Sequence, residues 1–188
     1  GEQGGAILSH SIHIHDLITM IFGPVSSIYA KLSTRVNDIE VEDCAALSLE
    51  MGNGALVTSS ITLGAAEDVS RIKICFSNLT VVSAGSPDKP YNPADDEWKF
   101  LAREPVTQNQ IDEVLSNVKL TKSWYAGMFD EIAKNLDGLT SDEVTLYDAR
   151  QSLEFVTAVY DSSQQRKNIY LPIKKENPLY KSWVPENK

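Results

Sequence analysis

The chain has 188 residues, 42% of them apolar and 23% charged, enough to build a well-cored globular domain. A net charge of -9 argues against nucleic acid and against anionic membrane surfaces, because both select clustered Lys and Arg. No apolar run is long enough to span a bilayer and none reads as a signal peptide, an absence that says little for a chain opening abruptly on a helix; the expected location is cytoplasmic.

The chain opens on one dominant stretch, Gly4-Gly5-Ala6-Ile7-Leu8-Ser9-His10-Ser11-Ile12-His13-Ile14-His15-Asp16-Leu17, continuing to Phe22 and stopped by Gly23-Pro24. It holds all three histidines. On a helical wheel at ~100° per residue, Ser9, His13, Asp16 and Met20 share one arc, and His15 points nearly opposite to His13. Ile7, Ile14, Leu17, Ile18 and Ile21 form the neighbouring apolar arc, with His10 on the apolar side of His13.

Alternation then predicts a strand over 25–36, with Ile28, Ala30 and Leu32 on one face and Tyr29, Lys31, Ser33 and Arg35 on the other. A loop over 37–42 leads to a second strand, 43–51. Gly52-Asn53-Gly54 is composed as a hairpin turn, and 55–63 returns as the partner. A second hairpin is expected from 69–76 and 79–84 around Ser77-Asn78. The outward face carries Ser48, Thr58, Ser60 and Thr62, small and uncharged, which suits a sheet covered by another copy of itself. An ordinary Thr-rich exposed sheet gives the same pattern through β propensity alone. Cys44 and Cys75 fall in strand-like runs and read as free core thiols of a reducing compartment.

Residues 85–98 read as a long loop rather than a domain boundary. Its acids Asp95, Asp96 and Glu97 are consecutive, so their side chains diverge and suit solvent better than a metal. Helices follow. Thr107 and Gln110 fit a capping box, with Ile111, Val114, Leu115 and Val118 as a stripe. Ser123 fits as the cap of the next helix, with Tyr125, Met128, Phe129, Ile132 and Leu136 as its core side and Asp137-Gly138 as its stop. Thr140 with Glu143 suggests a further capping box for a helix reaching about Ser163, carrying Leu146, Ala149, Leu153, Val156 and Tyr160. A short strand over 169–173 and a polar surface tail from Lys174 complete the chain. The fold class expected is α+β: an open, mostly antiparallel sheet with helices packed on one face.

The histidine cluster admits several chemistries. As a metal site, His10, His13 and Asp16 are close in helical step, but the usual zinc helix spaces two histidines at i and i+4 and takes another ligand elsewhere. As a hydrolase, Ser9 and His13 are near enough to meet, yet no G-x-S-x-G turn is present. As a general acid–base, a histidine side chain such as His13, with Asp16 near enough to orient it, suits proton transfer with a substrate hydroxyl. A structural histidine on a core-like helix fits the same letters.

The residues Gly4-Gly5 … His13-Ile14-His15-Asp16-Leu17 … Gly23-Pro24-Val25 resemble the G-G-x-x-x-D-x-x-x-H-x-x-D-L…G-P-V pattern of one superfamily. That pattern opens the C-terminal domain of the glucose–fructose oxidoreductase and inositol dehydrogenase superfamily (Gfo/Idh/MocA). The segment 39–43 and the turn Gly52-Asn53-Gly54-Ala55-Leu56 resemble its E-D-T-A strand and x-N-G-A turn. Residues 148–154, Tyr160-Asp161-Ser162-Ser163 and Leu171-Pro172-Ile173 resemble its last helix and strand.

The resemblance implies a glyceraldehyde-3-phosphate dehydrogenase-like C-terminal domain over 1–173, with 174–188 as a tail. It implies an NAD(P)-dependent oxidoreductase acting on a sugar, polyol or related hydroxy compound. The dinucleotide would be bound by an N-terminal Rossmann domain, for which these residues hold no G-x-G-x-x-G. His13 and Asp16 would be catalytic, Ser9 and His10 would line the substrate cleft, and the open sheet face would make a homo-oligomer. Ser9 stands where the family carries aspartate. Asp88-Lys89-Pro90 resembles the family's E-K-P lysine motif but follows the helix, so Lys89 is not given that lysine's role. No metal, nucleic acid or membrane partner is implied, and the fragment alone should be inactive. The alternative is a non-catalytic scaffold that keeps the fold for dimerisation or ligand binding.

Overall fold

In a computed structural model, the structure describes residues 4–83, 97–122 and 124–183. The chain divides into two compact units, Gly1–Ala65 with Val144–Lys188, and Ala66–Glu143.

The first unit begins with a π-helical turn, Ile7–Ser11, running directly into helix α1, Ile12–Phe22. Gly23, at φ 81°, ends it where a side chain would be strained. Strands β1 (Val25–Ser33), β2 (Cys44–Met51) and β3 (Leu56–Thr62) form an antiparallel meander. With β7 (Ile169–Tyr170) they give a sheet of order β3-β2-β1-β7. Helix α4, Leu146–Gln165, packs on β1.

The period-2 expectation holds. Ile28, Ala30, Leu47, Leu49 and Met51 are buried against Phe155, Val156, Val159 and Tyr160 of α4 and against Ile7 and Ile18. Tyr29, Lys31, Ala46, Ser48, Thr58, Ser60 and Thr62 point the other way and are exposed. The hairpin closes at Gly52-Asn53-Gly54, where the Met51 and Gly54 amides donate to the carbonyls of Ala55 and Met51.

β7 covers only Ser27 and Ile28 of β1. Beyond it, the Ala30 and Leu32 amides donate to Ser162 Oγ (2.9 Å) and Ser163 Oγ (3.1 Å) of α4. Two helix hydroxyls thus finish the edge that the short strand leaves open, since a buried unpaired amide is costly.

Two adjacent acids tie the ends together. Glu42 reaches the opening helix: its Oε1 accepts from Ile7 N (3.2 Å) and Tyr160 OH (3.0 Å). Asp43 turns to the 34–43 connection, where its carboxylate accepts from the amides of Arg35, Val36 and Asn37 at 2.7–2.8 Å. Those bonds, Asn37's first, hold the Asp43 carboxyl far below the usual carboxylate range. Gly5 lies so close that an added Cβ would sit 2.1 Å from the Glu42 carbonyl oxygen.

The second unit has its own antiparallel sheet, β4 (Lys73–Cys75), β5 (Leu79–Ser83) and β6 (Trp98–Ala102), in order β4-β5-β6. The second hairpin therefore belongs to a separate sheet rather than continuing the first, and β6 is an element the composition of 85–98 concealed. Helix α2, Gln108–Ser116, has the expected Thr107/Gln110 box. Helix α3, Trp124–Leu136, has no buried residue. Tyr125, Met128, Phe129, Ile132 and Leu136, read as core, are exposed, because among the described residues no strand packs extensively against that stripe.

Other expectations change as well. Helix α4 starts at Leu146, capped by Thr145 with Asp148 rather than by Thr140 with Glu143. The same spacing recurs five residues later, where the chain turns. Leu146 and Leu153 are exposed, while 155–162 is buried without interruption. Both cysteines are free, as read from the sequence, but Cys75 is exposed and Cys44 only half-buried, so neither is a core thiol. The tail from Lys174 is not wholly superficial: Leu179 and Trp183 pack on the core, and Trp183 Nε1 donates to Thr157 Oγ1 (3.0 Å). Asp95, Asp96, Lys89 and Ser123 lie outside the described residues.

Candidate functional site

The apolar run 4–22 folds as one helical rod because Glu42, Tyr160 and the α4 core hold its buried side. His13 and Asp16 fall on the outer face of α1, one turn apart, and both are exposed, as is Met20. Burial is the largest influence on the Asp16 carboxyl and raises it above its ordinary range. The nearby Asp148 carboxylate raises it further, while His13 draws it down. His13, Asp16 and Asp148 therefore form one electrostatic group, contributed by α1 and the first turn of α4. Asp148 holds its own charge through the Thr145 cap.

Ser9 is not joined to His13 in this arrangement. It sits in the π-helical turn, where its hydroxyl donates to Gly5 O (2.8 Å) and lies 2.7 Å from His10 Nδ1. A wheel at a uniform helical step places Ser9 and His13 together, and a π turn alters that step locally. The expected stripe is thus two pairs, Ser9 with His10 and His13 with Asp16.

His15 behaves as its opposite position on the wheel implies. It is 4% exposed and stacks on Phe155, with ring centroids 3.9 Å apart and an interplanar angle of 19°. Burial lowers its pKa to about 4, so the ring is neutral at physiological pH. Beside it lies a cavity of about 440 Å³, lined by the inner side of α1, the start of β1 and the 147/150/151/154 face of α4. Sequence reasoning missed this cavity because its polar groups come from three separate stretches. The spacing of Tyr147, Arg150, Gln151 and Glu154 on one helical face was the available signal. Among the described residues no group of three His, Cys, Asp or Glu is placed to hold a metal, and no helix is long and apolar enough to cross a membrane.

Residues 1–82 match the family model described as GFO/IDH/MocA C-terminal domain. No curated protein matches. Among solved structures, the WlbA dehydrogenase from Bordetella pertussis, in complex with NADH and UDP-GlcNAcA, is 26% identical with a TM-score of 0.66, covering 92% of this chain and 46% of its own. The WlbA dehydrogenase from Chromobacterium violaceum, bound to the same two ligands, is 24% identical with a TM-score of 0.69, covering 91% and 47%. The aldose-aldose oxidoreductase from Caulobacter crescentus, complexed with glycerol, is 17% identical with a TM-score of 0.67, covering 89% and 48%. The chain spans about half the length of the structures it matches. It matches a C-terminal domain of the Gfo/Idh/MocA oxidoreductase superfamily, in the family model over 1–82 and in fold over nearly its whole length.

Proposed function

We propose that this chain is the substrate-binding and oligomerisation domain of an NAD(P)-dependent oxidoreductase acting on a sugar, polyol or related hydroxy compound. The dinucleotide is bound mainly by a Rossmann domain outside these residues, and the 188 residues alone do not turn over substrate. The observation that carries the reading is His13: a titratable ring, exposed on α1, with Asp16 one turn away. It stands where the resembled pattern carries its histidine, and residues 1–82, which include it, match the family model.

Oxidation of a secondary alcohol removes a hydride and a proton. NAD(P)+ supplies the hydride acceptor. His13 takes the hydroxyl proton as the carbonyl forms, and in the reverse direction returns it. Asp16 positions the ring and offsets its positive charge once protonated. Ser9 and His10, bonded to each other, present a polar rim one turn earlier. The exposed outer face of β1–β3 makes the contact between copies.

His13→Ala in the full-length protein tests the acid–base role. Turnover should fall about 10²-fold and the pH dependence should lose one limb, whereas turnover within about twofold of wild type would remove His13 from the mechanism.

One observation favours the scaffold reading. The Ser9 hydroxyl, standing where the family has aspartate, is already engaged by Gly5 and His10. A scaffold oligomerises normally and shows no NAD(P)-linked turnover with any hydroxy substrate; such turnover excludes it.

A further inference from the structure

Ser9 and His10 belong to a hydrogen-bond chain whose direction the contacts settle. Ser9 Oγ lies 2.8 Å from the Gly5 carbonyl oxygen and 2.7 Å from His10 Nδ1. A carbonyl oxygen can only accept, so the single proton of the Ser9 hydroxyl goes to Gly5. Ser9 Oγ must then accept from His10, and the hydrogen of that contact belongs to Nδ1. In the neutral ring the other nitrogen, Nε2, therefore carries a lone pair and no hydrogen. A free imidazole in water favours the reverse arrangement, so the chain imposes this one.

The anchor of the chain is fixed. Gly5 is buried, and the next two amides, Ala6 and Ile7, donate to the carbonyl oxygen (2.9 Å) and Oε1 (3.2 Å) of Glu42. Gly5 O also accepts the Ser9 amide at 3.0 Å, so the amide and hydroxyl of one residue grip one carbonyl. His10 is exposed, one turn before His13, which is exposed too. A ring nitrogen held as an acceptor, beside a ring that takes a proton, suits neighbouring hydroxyls of one substrate. An aspartate at position 9 would bring a charge; the serine brings a neutral hydroxyl that orients its neighbour.

We propose that Ser9 is a positioning residue that holds neutral His10 in the Nδ1–H form, and that His10 Nε2 accepts a hydrogen bond from a second hydroxyl of the substrate, next to the one that faces His13. The substrate class is thereby narrowed from hydroxy compounds at large to those with neighbouring hydroxyls. The inference rests on reading the outer face of α1 as the substrate face, and not on the proton transfer assigned to His13.

NMR of the full-length protein with isotope-labelled histidine, at a pH where the ring is neutral, reads which nitrogen bears the hydrogen. His10 should show the Nδ1–H signature. Ser9→Ala should return it to the Nε2–H form, and Ser9→Thr, which keeps the hydroxyl, should preserve the wild-type signature. The probes are glycerol and its trimethyl ether, which keeps the oxygens but has no hydroxyl to donate. Glycerol should shift the Nε2 signal saturably and the ether should not; in Ser9→Ala the ether should shift it too. His10→Phe should weaken glycerol binding at least about tenfold, and His10→Gln, whose amide oxygen can stand in the place of Nε2, should recover most of it. An Nε2–H signature in the wild type, a signature unmoved by Ser9→Ala, or an equal response to glycerol and the ether, none included, overturns the proposal. His13→Ala should leave these signals in place. If it also leaves turnover within about twofold of wild type, the acid–base role falls and this one stands.

Discussion

His15 and Phe155 lie ring on ring, centroids 3.9 Å apart, and this contact fixes how α1 meets α4. It also makes the fold sensitive to acid. The folded pKa of His15, about 4, lies below its ordinary 6.5. Between those values the unfolded chain binds a proton that the folded chain refuses. Stability therefore falls as pH drops from about 6.5 towards 4, by up to a few kcal/mol. Urea unfolding at steps of pH across that window should show the decline, and His15→Leu should flatten it. A wild-type curve no steeper than the variant's would mean that the ring is not held neutral by burial.

The second prediction concerns Tyr160 and Glu42. Tyr160 OH donates to Glu42 Oε1 at 3.0 Å in a buried setting, and burial first, then the Glu42 carboxylate, pushes the phenol pKa up. Tyr160→Phe leaves Glu42 with the Ile7 amide at that oxygen and one donor fewer. The loss should be roughly 1–3 kcal/mol in the unfolding free energy. Exchange of the Ile7 amide with solvent should quicken as well, because the carboxylate that holds it is less well fixed. Unchanged exchange at Ile7 would show that Glu42 is held by other groups.

The outer sheet face gives a third prediction. Ser48 sits between Tyr29 and Thr58 at the middle of that face, as the registers β1–β2 and β2–β3 place it. Leu56 is 82% exposed and Tyr170 70% exposed, leaving apolar area on the two edge strands for a second copy to cover. Ser48→Arg should raise the self-association constant Kd at least about tenfold without altering the unfolding midpoint, because a buried unmatched cation is costly at an interface. Sedimentation equilibrium reads the outcome. A wild-type protein that stays monomeric at high concentration would assign the face to something other than a second copy.

Much of the first unit was legible in the letters. The alternation read over 25–36 and 43–51, which the structure keeps as strands Val25–Ser33 and Cys44–Met51, the Gly52-Asn53-Gly54 turn and the Gly23 stop each express a local rule. His15 could be placed opposite His13 from helical geometry alone. The pairing of Ser9 with His10 could not, because a π turn depends on what grips the chain from outside, here Glu42. The start of α4 was misplaced for a different reason. Capping boxes at Thr140 and Thr145 are equivalent in spacing, and only the packing of 155–162 decides where the helix must begin. The apolar stripe of α3 shows the limit of periodicity: it marks a face that could pack, and not whether its own unit supplies a surface for it.

The grip of Glu42 on Ile7 spans 35 residues of chain. The opening rod cannot acquire its heading until the meander behind it has assembled, since the carboxylate arrives only with the second strand. Contacts of such long sequence separation form late and slowly. A peptide severed after Gly23 would own every histidine of these 188 residues and the orientation of none of them.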